Sequence, residues 1–341
     1  MLNGKVILIT GGSGGFGHQF IETTLRDYPG VKKIIIFSRD EMKQLEMQRQ
    51  YPYHQYPQLR FFIGNVRDKE RLIRAFNGVD IVIHAATINT LESTEYNPEE
   101  CIKTNIHGSQ NVIDAALLCG VHHVIALSSD KACNPISLYG STQLVSDRLF
   151  VAANNMKGGK DIRFSVVRYG NVFGARGSVV NYFIERRDIG AKELPITDIR
   201  MTRFVISNPE VINMVYYAIE NSLGGEIFVP KTPSYRISDM ATAIGPNMKQ
   251  VEVGIRSGEK IHEDLISQGE APATLDCGSF YTIIPAVTFT SVRRENYVER
   301  HNGKPVEPDF FYRSDTNQEF ETVESLRNKI KKYVNHNFTV R

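Results

Sequence analysis

Residues 5–17 read KVILITGGSGGFG. A short β-rich run meets a loop with Gly11, Gly14 and Gly17 at three-residue spacing. Apolar residues in nearly every position suit a strand buried on both faces. Glycine tolerates positive φ and lets the backbone approach a ligand, so a strand, a glycine loop and a helix in succession form a phosphate cradle. Alone the motif is weak; its weight comes from opening a series of similar units. KIIIF (33–37), LRFFIG (59–64), DIVIHA (80–85), HHVIALS (122–128) and IRFSVVR (162–168) read as further strands. Amphipathic stretches near 16–28, 40–50, 68–76, 98–119 and 136–155 separate them. That alternation predicts a parallel sheet with right-handed crossovers.

The expected fold is therefore α/β: a Rossmann-type doubly wound parallel sheet with a smaller C-terminal substrate-binding lobe. The dinucleotide domain is expected over 1–171, with GEIFVPK (225–231) in a returning segment of about 207–231. Residues of about 172–206 and 232–282 should build the lobe over the strand C-termini, where doubly wound sheets bind ligands. The tail, 283–341, shows one helical stretch near 322–335 and no evident place in the sheet.

Composition narrows the function classes. The 341 residues are 41% hydrophobic, enough for a substantial core, and a net charge of +2 gives no strong field for nucleic acid or a membrane surface. No apolar run reaches the ~18 residues of a membrane span. Cys101, Cys119, Cys133 and Cys277 have no metal-ligand spacing and read as reduced thiols of a cytoplasmic protein, with no metal expected. The chain enters a strand within five residues, so no signal peptide is expected.

The end of the second strand selects the dinucleotide. It reads FSRDEMK, with Ser38 where NAD-binding sheets usually carry an acid for the ribose 2′-hydroxyl. Arg39 and Lys43 suit a 2′-phosphate, so NADP is expected, although Asp40 could serve an NAD ribose. The expected cofactor contacts are Thr10, Gly11, Ser13, Gly14, Gly15, Phe16 and Gly17, then Ser38, Arg39, Lys43, Asn65 and Val66. Ala85, Ala86, Tyr139, Gln143 and Tyr169 complete them.

LSSDKACNPISLYGSTQ (127–143) begins at the end of the fifth strand. Ser129, Asp130 and Lys131 should lie on the C-terminal rim, with Tyr139 on the next helix converging beside the nicotinamide. A surface Asp–Lys pair would contribute little; beside a buried tyrosine the same pair can do acid–base work.

These residues carry a resemblance. The chain resembles the extended short-chain dehydrogenase/reductases, and more narrowly the inverting UDP-N-acetylglucosamine 4,6-dehydratases. ITGGSGGFG, FSRDEMKQLEM, GNVRDKERL, EYNPEECIKTNIHGSQNVIDAA, SSDKACNPISLYGST, RYGNVFGARGSVV, KELPITDIRMTRF, GGEIFVPK and GIRSGEKIHE carry it in order, to about residue 265. The resemblance implies that Tyr139 takes the sugar 4-OH proton, Lys131 removes H5 and Asp130 protonates the departing 6-OH. Hydride returns to C6 and C5 is reprotonated from the opposite face, giving UDP-2-acetamido-2,6-dideoxy-β-L-arabino-hex-4-ulose. Burial is expected to lower the lysine pKa and raise that of the aspartate. Asn171, Val180, Arg176, Arg203, Arg256 and Glu259 are implied to hold the UDP-sugar, and a dimer or hexamer is implied as the assembly.

The chain departs from that pattern twice. Gln143 stands where Tyr-x-x-x-Lys would put lysine, and Thr87, Ile88 and Asn89 stand where the family usually shows Met-Lys-His. Both changes remove positive charge. Three rivals therefore stay open: a non-inverting dehydratase, a nucleotide-sugar 4-epimerase, and a catalytically silent NADP-binding scaffold.

Overall fold

Six strands form where the apolar runs lie: β1 (Val6–Thr10), β2 (Lys33–Ser38), β3 (Leu59–Ile63), β4 (Ile81–His84), β5 (His123–Ser129) and β6 (Arg163–Tyr169). The computed structural model describes residues 1–175, 177–287 and 292–340. β1 is buried at every position and pairs in parallel with β2 on one side and β4 on the other. The strand order β3-β2-β1 on one side and β4-β5-β6 on the other reverses between β1 and β4. Such a reversal opens a crevice at the strand C-termini, and here the loop after β1 meets the chain after β4.

The helices start where their caps allow. Asp40 and Asp68 accept backbone N–H bonds at the starts of Glu41–Gln50 and Lys69–Phe76, and Ser137 does so for Leu138–Met156. The stretch expected as one helix near 98–119 is broken. Pro98–Ile102 passes through a π-helical turn, Lys103–His107, before Gly108–Cys119. Such a turn often accompanies a functional site.

Beyond β6 the sheet continues with Ile227–Pro230, parallel to it, and then three antiparallel strands. Thr274–Asp276 falls in the range assigned to the lobe, and Phe280–Ile283 runs across its end into the tail, so that boundary is corrected. At three and four residues, with Thr and Asp among them, they are too short to show as continuous apolar runs. The third, Lys304–Pro305, comes from the tail.

The lobe has its own core. Phe173, Val180, Phe183, Leu194, Tyr235 and Met240 pack with Leu326, Ile330 and Phe338. The tail helix Val323–Tyr333 thus belongs to the lobe, closing over helix Ile237–Ile244 with an apolar face the sequence alone did not orient.

One buried ionic cluster ties the sheet to the lobe-side turns. Arg168 on β6 is fully buried; its Nη2 lies 3.1 Å from Asp147 and its Nη1 3.1 Å from Glu270. Nη1 also donates to the Leu265 carbonyl at 3.1 Å. Removing one partner of such a cluster strands buried charge. Arg168→Met is expected to lower stability by about 3–5 kcal/mol; an unchanged denaturation midpoint and slope would show that the two carboxylates are satisfied without the guanidinium.

Candidate active site

A cavity of about 580 Å³ runs along the switch point, lined by Gly11, Ser13–Phe16, Ser38–Asp40, Lys43, Asn65 and Val66 at one end. Ala85–Asn89, Ser129, Tyr139, Gln143 and Tyr169 line the other. Gly11 has φ +68°, and a Cβ there would stand 2.9 Å from the Ala86 backbone, so only glycine allows the two loops to meet. A Cβ on Gly17 would stand 1.9 Å from the Gly12 carbonyl oxygen, which fixes the helix hard against the loop. Thr10 and Gly17 do not line this cavity. Thr10 is fully buried, with Oγ1 2.7 Å from His84 Nδ1, and it supports the loop from behind.

At the adenosine end Ser38 Oγ lies 2.7 Å from Ser13 Oγ, and Gln44 Nε2 donates to the Ser38 and Phe62 carbonyls at 3.0 Å. Asp40 is committed to its helix. It accepts from Lys43 N at 3.0 Å and pairs with Lys43 Nζ at 3.1 Å, and the backbone bond leads in holding its carboxyl below the usual range. Arg39 is exposed at the cavity edge. A glycine cradle at a helix N-terminus fits the pyrophosphate of a nicotinamide dinucleotide.

Ser129 and Tyr139 line the other end, and Asp130 and Lys131 follow Ser129 directly. β5 and β6 are in register so that Ser129 faces Tyr169. Asp130 is 1% exposed; its Oδ1 accepts from Ser129 Oγ at 2.8 Å and from Lys131 Nζ at 2.9 Å, while Oδ2 has no partner. Burial raises its pKa and outweighs the pull of Lys131. Lys131 corrects the sequence reading. Burial acts to lower its pKa, but Asp130 and a second carboxylate, Glu263 at 3.1 Å, together outweigh burial and raise it. The lysine is a held cation in this structure. The Tyr139 phenol is pushed well above its usual range by burial, partly offset by a hydrogen bond with Ser129, and no cation stands among the groups acting most on it.

The two departures from the family pattern touch each other. Gln143 is 4% exposed, and its Oε1 accepts from Thr87 Oγ1 at 3.3 Å. Asn105, from the π-helical turn, accepts from Ile88 N at 2.8 Å and donates to the Ile88 carbonyl at 3.0 Å, pinning that segment. A neutral amide, Gln143, and an apolar side chain, Ile88, stand at the two positions where lysines were expected.

A second cavity of about 890 Å³ lies under the lobe. Lys131, Asn171, Val180, Arg203, Arg256, Glu259 and Glu263 line it, and it shares Asn89 and Val172 with the first. Arg203 is buried and donates to the Thr202 and Ile261 carbonyls. Arg256 is 63% exposed at the mouth, paired with Glu92 at 3.2 Å and Glu259 at 3.7 Å. Arg176 lies outside the described residues. Sequence reasoning missed Glu263 and Asn105. Glu263 ends the quoted GIRSGEKIHE block but, in a polar loop, nothing in the residues alone separated it from a surface acid; Asn105 sat in what read as an uninterrupted helix.

Sheet order and glycine cradle are those of an extended short-chain dehydrogenase/reductase. The model of the polysaccharide biosynthesis protein family matches residues 7–285, and the chain belongs to that family. It is 51% identical over 319 residues to a UDP-N-acetylglucosamine 4,6-dehydratase (inverting) of Campylobacter jejuni serotype O:2, covering 93% of this chain and 94% of that protein. A UDP-glucose 4-epimerase of Rickettsia canadensis is 39% identical, covering 82% of each. The solved structure of Pen from Bacillus thuringiensis aligns with a TM-score of 0.86 at 31% identity, covering 97% of this chain and 98% of that one. DesIV, a dTDP-glucose 4,6-dehydratase of Streptomyces venezuelae solved with NAD and TYD, aligns at 0.65 and 20% identity over 75% of this chain and 86% of its own, a likeness of fold. Among the described residues no helix is long and apolar enough to cross a membrane, and no cluster could hold a metal ion.

Proposed function

We propose that the chain is an NADP-dependent UDP-N-acetylglucosamine 4,6-dehydratase that inverts C5. The observation that carries this is the buried Asp130–Lys131 pair, 2.9 Å apart, with Lys131 lining the cavity under the lobe and Tyr139 lining the dinucleotide cavity. A simple 4-epimerase needs no second acid and base for elimination; this rim has both.

What the bound dinucleotide supplies is a hydride acceptor that is regenerated within each cycle. The chain supplies the proton transfers. Tyr139 takes the 4-OH proton, with Ser129 hydrogen-bonded to its phenol. The 4-keto group then acidifies H5. Moving one proton from Lys131 Nζ to Asp130 along their hydrogen bond creates a neutral amine and a neutral acid together. Lys131 then removes H5 as Asp130 protonates the departing 6-OH, and the pair returns to ammonium and carboxylate as water leaves. Burial, which raises Asp130, favours the productive tautomer. Arg203 and Arg256 serve the diphosphate and Glu259 the ribose. The free state of all four cysteines supports a reducing, cytoplasmic setting, and homo-oligomerisation belongs to the same reading.

The cofactor assignment has a direct test. Purified protein, denatured without added cofactor, is expected to release a dinucleotide bearing the 2′-phosphate, and Arg39→Ala to lose that preference. Release of NAD alone would overturn the NADP assignment. One observation favours a second reading, a dinucleotide-holding protein without turnover: among the described residues, none of the groups acting most on Tyr139 is a cation.

A further inference from the structure

The cluster around Lys131 holds one carboxylate more than the proposed chemistry uses. Glu263 is 1% exposed; its Oε1 lies 3.1 Å from Lys131 Nζ and 3.8 Å from Arg203 Nε, while its Oε2 is buried without a partner. Half-satisfied buried carboxylates are destabilising, so stability does not account for it. Its backbone is gripped on both sides by the tail. Glu263 N donates to Ser314 Oγ at 2.9 Å, and Ser314 N donates to the Glu263 carbonyl at 2.8 Å. Ser314 Oγ also lies 2.7 Å from Thr202 Oγ1, next to Arg203.

We infer that Glu263 is a positioning residue for Lys131: its carboxylate holds the ammonium on the wall of the cavity under the lobe, and Ser314 of the tail fixes Glu263 in place. The consequence for turnover rests on the proposed dehydratase reading; the charge relation between the two side chains does not.

The neighbours fix the sign. Lys131 is faced by Asp130 from the rim, Glu263 from the lobe loop, Arg203 from the strand Thr202–Ile206 and Tyr235 from the strand Ser234–Arg236. Burial pushes Glu263 up, but Lys131, Arg203 and Lys260 more than offset it and keep it ionised. An ionised Glu263 makes the ammonium harder to deprotonate. Replacing it by glutamine keeps the shape and removes the charge, so Lys131 should lose its proton at lower pH.

The experiment is reductive methylation of folded protein with formaldehyde and a borane, which modifies only neutral amines, followed peptide by peptide by mass spectrometry across pH. In Glu263→Gln the labelling curve of Lys131 is expected to move at least about one pH unit toward acid, roughly a tenfold faster reaction at fixed pH. Lys69, paired with Asp114 at the surface, is the internal reference and should not move. Ser314→Ala is expected to shift Lys131 in the same direction by less, and it carries the test if the glutamine variant does not fold. A Lys131 curve that coincides with the parent's in the folded variants overturns the inference. With UDP-N-acetylglucosamine, Glu263→Gln is further expected to lower kcat about tenfold or more with KM within about twofold, because loss of the ionic hold on Nζ costs more in aim at H5 than easier deprotonation returns. Absence of turnover by the parent protein would sink the dehydratase reading and leave the labelling result standing.

Discussion

Lys131→Ala and Asp130→Asn are each expected to lower dehydration of UDP-N-acetylglucosamine by about 10²–10⁴-fold, the usual weight of a positioned general acid or base, with dinucleotide content unchanged. The two residues share one proton across 2.9 Å, so losing either destroys both roles: asparagine cannot receive the proton and alanine cannot give it. Dinucleotide should stay bound because neither side chain lines the first cavity. Lys131→Ala also leaves Asp130 and Glu263 buried without their shared cation, so Lys131→Gln is the companion that keeps a hydrogen-bond donor and tests chemistry apart from folding. In D₂O the parent protein should place deuterium at C5 of the product, since H5 leaves on Lys131 and inversion returns a different, solvent-derived proton to the opposite face. Full activity in folded Lys131→Gln would remove the lysine from the base role; product without deuterium at C5 would remove the inversion.

What could be read beforehand follows from how local each signal is. Five of the six parallel strands were legible because burial on both faces writes itself as a continuous apolar run; β3, at the sheet edge, is only half-buried and was legible from its apolar composition alone. The glycine loop was legible because Gly11 answers to a single constraint, contact with Ala86 across the switch point. The rim followed from those two, since Ser129 to Tyr139 lie at a strand end and the next helix start. The protonation state of Lys131 was not legible, because it depends on Glu263, 132 positions away in sequence and brought in by the lobe. Nor was the tail: Ser314 and the helix Val323–Tyr333 acquire meaning only against Glu263 and the lobe core, through contacts that no periodicity records. Asn105 was hidden by a single π-helical turn inside an otherwise regular helical pattern.

Gln143→Lys is expected to raise turnover at pH 7 by about tenfold or more, up to ~10³-fold, if loss of the Tyr139 proton limits the rate. Burial holds the phenol above its usual range, and only a hydrogen bond with Ser129 acts clearly the other way. Gln143 stands one helical turn on, buried in the same cavity, with its carbonyl engaged by Thr87. An ammonium there would depress the tyrosine by roughly two to three pH units, about 3–4 kcal/mol. Thr87 Oγ1 and Asn105 Oδ1 offer it acceptors, so the change need not strand a charge. The sign with pH follows from the same argument. A phenol titrating high reacts faster as pH rises, so parent turnover should climb further into the alkaline range than that of the lysine variant, whose profile should level off earlier. Tyr139→Phe should abolish turnover in both backgrounds. Three outcomes separate the readings. A brisk parent that Gln143→Lys leaves unchanged at every pH would mean the tyrosine is activated by another group, Lys131 first. A slow parent rescued by lysine would make the neutral Thr87–Gln143 contact the cause of the slow rate. If neither protein turns over any UDP-sugar while both release the phosphorylated dinucleotide on denaturation, the chain is a cofactor-holding scaffold, and the Asp130–Lys131 pair does no chemistry.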